Sequence, residues 1–246
     1  IEEIDGGSGD DYITGTSGDD LIEGNYGDDI LEGGAGDDTF KVYGDAGTDQ
    51  YDGGEGHDVI QGTVYNDVIR VTDNLGNIQN IEAIDGGDGY DILQAGSGDD
   101  RIDLSSGPAL SNIEEIDGGY GDDHITGTSG NDFIEGNRGD DILEGGAGDD
   151  VVSGGSGNDT YIFNPFDGSD SFDGGNGGGW TDVIQLDANA DPNADLENPW
   201  TIEIGGEQVQ YDLAAHALEL NPDTSGVITL SDGSELTFDG IERIEW

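Results

Sequence analysis

Residues 6–41 read GGSGDDYIT GTSGDDLIE GNYGDDILE GGAGDDTFK, four consecutive copies of one nine-residue frame, G-G-x-G-x-D-x-U-x, in which U is apolar. The same frame returns over residues 118–162 as GGYGDDHIT GTSGNDFIE GNRGDDILE GGAGDDVVS GGSGNDTYI. Residues 1–38 and 113–150 differ only at Ser8/Tyr120, Tyr12/His124, Asp19/Asn131, Leu21/Phe133 and Tyr26/Arg138, so the chain holds a duplicated block. Once small insertions are allowed, the eighth position reads Ile13, Ile22, Leu31, Phe40, Tyr51, Ile60, Ile69, Leu93, Ile102, Ile125, Ile134, Leu143, Val152, Tyr161, Phe172 and Ile184. None of these is polar.

Glycines at positions one, two and four allow φ > 0 and close backbone approach, so the first six residues of each copy form a tight turn. The last three suffice only for a short strand. Alternation at period two points position eight inward and positions seven and nine outward, and two copies wind into one coil that stacks on the next at ~4.8 Å. The expected fold is all-β: a parallel β-roll, or β-solenoid, in two duplicated blocks, followed by a C-terminal antiparallel β capping module.

Asp occupies the sixth position in every clean copy: Asp11, Asp20, Asp29, Asp38, Asp49, Asp58, Asp91, Asp100, Asp123, Asp132, Asp141, Asp150 and Asp159. Stacking brings the carboxylates of turns i and i+2 to about a coil spacing, where they repel unless a cation lies between them. The composition says the same, with 58 Asp and Glu against 5 Lys and Arg, a net charge of -53, 47 Gly and no Cys in 246 residues. Such a charge repels phosphate backbones and anionic headgroups, which excludes nucleic acid and membrane surfaces as partners. Apolar runs are far shorter than the ~18 residues that membrane insertion needs. Without Cys, the expected staple is a metal. Ca²⁺ suits the turns because it accepts several oxygens in tolerant geometry and glycine leaves backbone carbonyls unshielded, whereas Mg²⁺ demands a tighter octahedron. Roughly eight to twelve ions are expected, since n stacked turns give about n-2 complete pairs.

With this nonapeptide, a signature of calcium-binding parallel β-helices, the chain strongly resembles the repeats-in-toxin (RTX) family of bacterial proteins exported by type I secretion, over roughly residues 5–185. The resemblance implies calcium held between consecutive turns by two position-six aspartates and turn carbonyls. The matching pairs are Asp11 with Asp29, Asp20 with Asp38, Asp38 with Asp58, Asp123 with Asp141, Asp132 with Asp150 and Asp141 with Asp159. It also implies a chain disordered in the low-calcium cytosol that folds after export, secreted or at the cell surface. The frame departs at GTVYNDVIR (62–70), PFDGSD (165–170) and GGNGGGWTD (174–182), so Asp67, Asp170 and Asp182 stay outside the expected metal set.

A second motif, IEEID at 1–5, NIEAID at 80–85, NIEEID at 112–117 and GIERIEW at 240–246, reads as a strand that covers the start of a roll. The expected division is a first block at 1–112 with a degenerate linking segment at 62–85, a second block at 113–185 and the capping module at 186–246. In the last, WTIEI, EQVQYDL, GVITL and ELTFDGI read as antiparallel strands with turns at Gly205-Gly206 and Asp232-Gly233. The acidic start and the lack of an initiator Met suggest a segment of a larger polypeptide.

Bland readings cover most other features. His57, His124 and His216 fill turn, strand and Ala-rich positions rather than a zinc or catalytic site, and neither HExxH nor GxSxG occurs. No enzymatic activity is expected. The outward position-seven residues Tyr12, Leu21, Ile30, Val59, Ile92, Phe133, Ile142, Val151 and Val183 read first as neighbours stacked along a sheet surface and second as a docking face for a protein or glycan. The leading function is a calcium-folded structural, secretion-coupled, adhesin-like module. Its rivals are the ligand-binding head of an adhesin and the accessory domain of a secreted polysaccharide-active enzyme.

Overall fold

The computed structural model describes residues 3–175, 179–186 and 200–246. The extra residues of the 174–182 turn that fall at 176–178, and residues 187–199 of the C-terminal segment, lie outside the described residues, as do the first two residues of IEEID. Contacts group the chain into two compact units, residues 1–96 with 106–117 and residues 97–105 with 118–246.

In the first unit, strands Glu3–Ser8, Leu21–Tyr26, Thr39–Lys41, Val59–Gln61, Ala83–Asp85 and Ala109–Ser111 pair in that order, all parallel. A second parallel sheet runs Tyr12–Thr14, Ile30–Ala35, Gln50–Glu55 and Ile78–Gln79. A third runs Val68–Arg70, Ile92–Gln94 and Glu115–Asp117. Ile4 faces Ile22 and Ile13 faces Leu31, so each residue pairs with its counterpart two nonapeptides on. Every position-eight side chain is buried, between 0% and 8% exposed. The single inward residue of each three-residue strand therefore builds the core, as its period-two pattern requires.

The second unit repeats this winding. One parallel sheet runs Arg101–Asp103, His124–Thr126, Ile142–Glu144, Thr160–Phe163 and Val183–Leu186. Another runs Phe133–Arg138, Val151–Ser156 and Ser169–Asp173. The last strand of the chain, Glu235–Glu245, joins both. Its first half pairs in parallel with Ser169–Asp173 and its second half with Val183–Gln185.

The segment read as an antiparallel module is thus of mixed character. Trp200–Ile204 and Glu235–Glu245 do flank Ala217–Leu230 in antiparallel pairing, and the chain turns at Gly205-Gly206 and Asp232-Gly233 with positive φ at each glycine. The stretch read as ELTFDGI, however, is also the roll's final coil, with Phe238 facing Phe172 and Ile244 facing Ile184. Most of EQVQYDL is not strand; only Glu207 and Gln208 are, and Leu213–Ala215 forms a 3₁₀ turn.

The position-seven residues split. Tyr12, Ile30, Ile142 and Val151 are exposed, whereas Leu21, Val59, Ile92, Phe133 and Val183 are half-covered by their sheet neighbours. Gln50 follows Ile30, Thr160 follows Ile142 and Ser171 follows Val151, so polar side chains interrupt each row. Stacking along the sheet accounts for Leu21, Val59, Ile92, Phe133 and Val183.

Candidate metal centre

The turns place the position-six aspartates in ladders. Within a ladder, the N–H of each aspartate but the last donates to Oδ1 of the aspartate one coil on, at 2.7 to 3.1 Å. The first unit holds Asp11–Asp29–Asp49, Asp20–Asp38–Asp58 and Asp67–Asp91. The second holds Asp100–Asp123–Asp141–Asp159–Asp182 and Asp132–Asp150–Asp170. All the aspartates named from the frame stand on a ladder, and the paired ones are hydrogen-bonded neighbours. Asp67, Asp170 and Asp182, which the frame leaves out, stand there too. Their signal was visible in the D-x-U spacing before Ile69, Phe172 and Ile184.

Oδ1 accepts this hydrogen bond, which leaves Oδ2 to be accounted for. In Asp11, Asp29, Asp38, Asp58, Asp91, Asp123, Asp141, Asp150 and Asp159 the Oδ2 is buried without a hydrogen-bond partner. Each faces the first glycine of its own turn. A Cβ at Gly136 would lie 2.4 Å from Asp141 Oδ2 and 2.8 Å from the Gly154 carbonyl of the next coil; at Gly33 the corresponding contacts are 2.3 Å to Asp38 Oδ2 and 2.7 Å to Gly53 O. Position one therefore needs glycine for space, whereas positive φ is confined to later turn positions such as Gly34 and Gly36. At Gly6, Gly33, Gly53, Gly86, Gly118 and Gly136 the gap is a chamber lined by an anionic oxygen and a carbonyl oxygen of a neighbouring coil. An unpaired buried carboxylate is costly, and a hard, oxygen-seeking cation is what this donor set fits. Among the described residues no three acidic or imidazole side chains converge on one point.

The electrostatics agree. Burial, ahead of the neighbouring carboxylates, pushes Asp123 and Asp159 up to about 7 and Asp141, Asp150 and Asp182 up to about 6. Burial likewise raises Asp29, Asp38, Asp58 and Asp91. These groups resist ionisation because the charge lacks a counterion, which a bound cation supplies.

The second motif supplies the residues missed from sequence. Glu82 Oε2 accepts from Asp58 N–H at 2.7 Å, Glu114 Oε2 from Asp91 N–H at 2.7 Å and Glu242 Oε2 from Asp182 N–H at 2.9 Å. Three of the four copies of the motif thus close a ladder, while in the first copy Glu3–Ser8 is the opening strand of its sheet. E-x-I copies the D-x-U spacing, and a glutamate replaces aspartate where the opening pair of turn glycines is absent. The other two ladders end on tyrosines: Tyr51 Oη donates to Asp49 Oδ2 at 2.9 Å and Tyr161 Oη to Asp170 Oδ2 at 2.7 Å. His124 contacts Arg101 through its ring nitrogen and no carboxylate ladder.

Stacked nonapeptide turns, many with a buried carboxylate oxygen that has no protein donor, define a calcium-binding β-roll. The chain matches the RTX calcium-binding nonapeptide repeat (four copies) at residues 5–40, 41–60, 52–71, 80–108, 111–143 and 126–161, more than half its length, and it belongs to that family. A comparison with curated proteins returns no match. Among solved structures the chain is similar to the extracellular lipase LipA from Serratia marcescens at 17% identity and a TM-score of 0.20, over 95% of this chain and 38% of the lipase. The chain thus spans well under half of that lipase, and a likeness this distant carries no functional argument.

Asp141→Ala is expected to raise the calcium midpoint of folding more than Asp170→Ala. Asp141 presents an unpartnered Oδ2 and also anchors Asp123, whereas Tyr161 already satisfies Asp170 Oδ2. Circular dichroism titrations of the two variants side by side check this; equal midpoints would contradict the assigned chambers.

Proposed function

We propose that this chain is a calcium-folded structural module of a secreted or cell-surface bacterial protein, adhesin-like and without catalysis of its own. Its position-six aspartates hold the ions, and its folding is coupled to export. The observation that supports this reading most directly is the ladder of buried, unpartnered carboxylates in a chain of net charge -53. Such a chain repels itself until cations neutralise it, so it stays open where calcium is scarce and compacts where calcium is abundant. The carboxylates that elsewhere serve acid and base chemistry are here committed to the ladders. The polar interruptions of the position-seven rows favour a spacer or scaffold role over a docking head.

Limited proteolysis of the chain across calcium concentration tests this. Rapid cleavage throughout is expected at micromolar calcium and resistance at ~10⁻³ M, the range of extracellular calcium modules. Equal resistance at both concentrations would remove the link to export.

A further inference from the structure

The second residue of the turn separates twelve of the carboxylates into two kinds. In all nine turns with an unpartnered Oδ2, that residue is Gly or Asn at φ between +68° and +109°, as at Asn25, Gly34 and Asn137. In three other turns it is threonine, at Thr16, Thr63 and Thr128, and none of these has positive φ. A β-branched residue resists the left-handed region, so its N–H stays turned toward the carboxylate of its own turn. Thr16 N–H and Oγ1–H donate to Asp20 Oδ2 at 2.6 and 2.9 Å. Thr128 N–H and Oγ1–H donate to Asp132 Oδ2 at 2.6 and 3.0 Å, and Thr63 makes the same two bonds to Asp67.

We propose that these threonine turns are metal-free rungs, in which two protein donors take the place of the cation and residue two of each turn decides whether calcium binds. The proposal rests on the calcium reading of the glycine turns and removes Asp20, Asp67 and Asp132 from the ion-holding set. Two N–H and O–H dipoles with their positive ends on Oδ2 occupy the lone pairs that a cation would use and repel the cation itself. A turn satisfied in this way folds without metal. Its position suits that task, because Asp20, Asp67 and Asp132 each stand first in their ladders, with Asp38, Asp91 and Asp150 next. Three of the five ladders therefore open on a rung that needs no ion and close on a glutamate or a tyrosine.

The test is the number of calcium ions bound per intact chain, counted by equilibrium dialysis with elemental analysis at saturating calcium. Thr128→Asn copies the natural Gly-Asn turn at 136–137 and is expected to add one ion, while Asn137→Thr is expected to remove one. Circular dichroism verifies that each variant is folded, with Thr16→Asn as the substitute for a variant that is not. Folded Thr→Asn variants that bind the wild-type number of ions would overturn the proposal. A wild-type chain that binds no calcium would overturn the underlying reading instead, so the two failures are distinct.

Discussion

Excess chelator at neutral pH is expected to abolish the β-sheet signal of this chain, and calcium, but not magnesium at the same concentration, is expected to restore it in one cooperative step. An uncompensated buried charge costs several kcal/mol, and a folded domain is stable by only ~5–15 kcal/mol. Two or three vacated chambers therefore suffice to unfold a unit, and in nine aspartates among the described residues Oδ2 has no other partner. Cooperativity follows from the ladders, because aspartates such as Asp29, Asp38, Asp141 and Asp159 leave Oδ2 for a cation while Oδ1 anchors the preceding rung. The midpoint is expected at ~10⁻⁴ to 10⁻³ M calcium.

The pH dependence has a definite sign. Without metal, the folded-state values of Asp123 and Asp159, about 7, lie above the ~3.9 of an unfolded aspartate. Protonation then stabilises the metal-free fold fully below ~4, and this contribution is lost as pH rises through about 7. The metal-free chain should gain β signal on acidification, while calcium binding weakens there because protons compete for the same oxygens. Full β signal in excess chelator at pH 7 to 8 would refute the calcium requirement.

The second large effect is expected on ending the chain at Gln185. That truncation removes Glu235–Glu245, which pairs with Ser169–Asp173 on one face and Val183–Leu186 on the other. It also strips away Leu236, Phe238, Ile241 and Ile244, all 0% or 1% exposed. At ~1.5–3 kcal/mol for each fully buried side chain, this loss rivals the whole stability of a domain. Asp182 loses Glu242 at the same stroke. Two unpaired strand edges and an open core end then face solvent, an arrangement prone to edge-to-edge association. The truncated chain is expected to need several-fold more calcium or to aggregate, as read by the titration midpoint and by size-exclusion chromatography. A monomer with the intact chain's midpoint would make residues 186–246 a mere neighbour of the roll.

Much of this architecture was legible because the repeat is short and strict. One apolar residue in nine, flanked by fixed glycines, leaves a single way to bury Ile22 and Leu31 while turning the chain twice per coil. The D-x-U spacing likewise marked the carboxylates that stack. Glu82, Glu114 and Glu242 escaped notice because their segments lack the opening pair of turn glycines, and their role depends on which N–H lies across the sheet. The C-terminal segment was read by its own alternation, which cannot reveal that one strand pairs in parallel with two strands sixty or more residues away.

The sequence by itself determined the period of the coil, the identity of the inward residue and the alignment of acid with glycine, since these follow from local sterics and periodicity repeated without variation. Only the tertiary structure decided which oxygen of each aspartate is spoken for. That depends on donors brought in from the next coil, from a threonine held at negative φ or from a tyrosine reaching across the core, and hydrogen bonds of this kind are made by folded geometry rather than by adjacency in the chain.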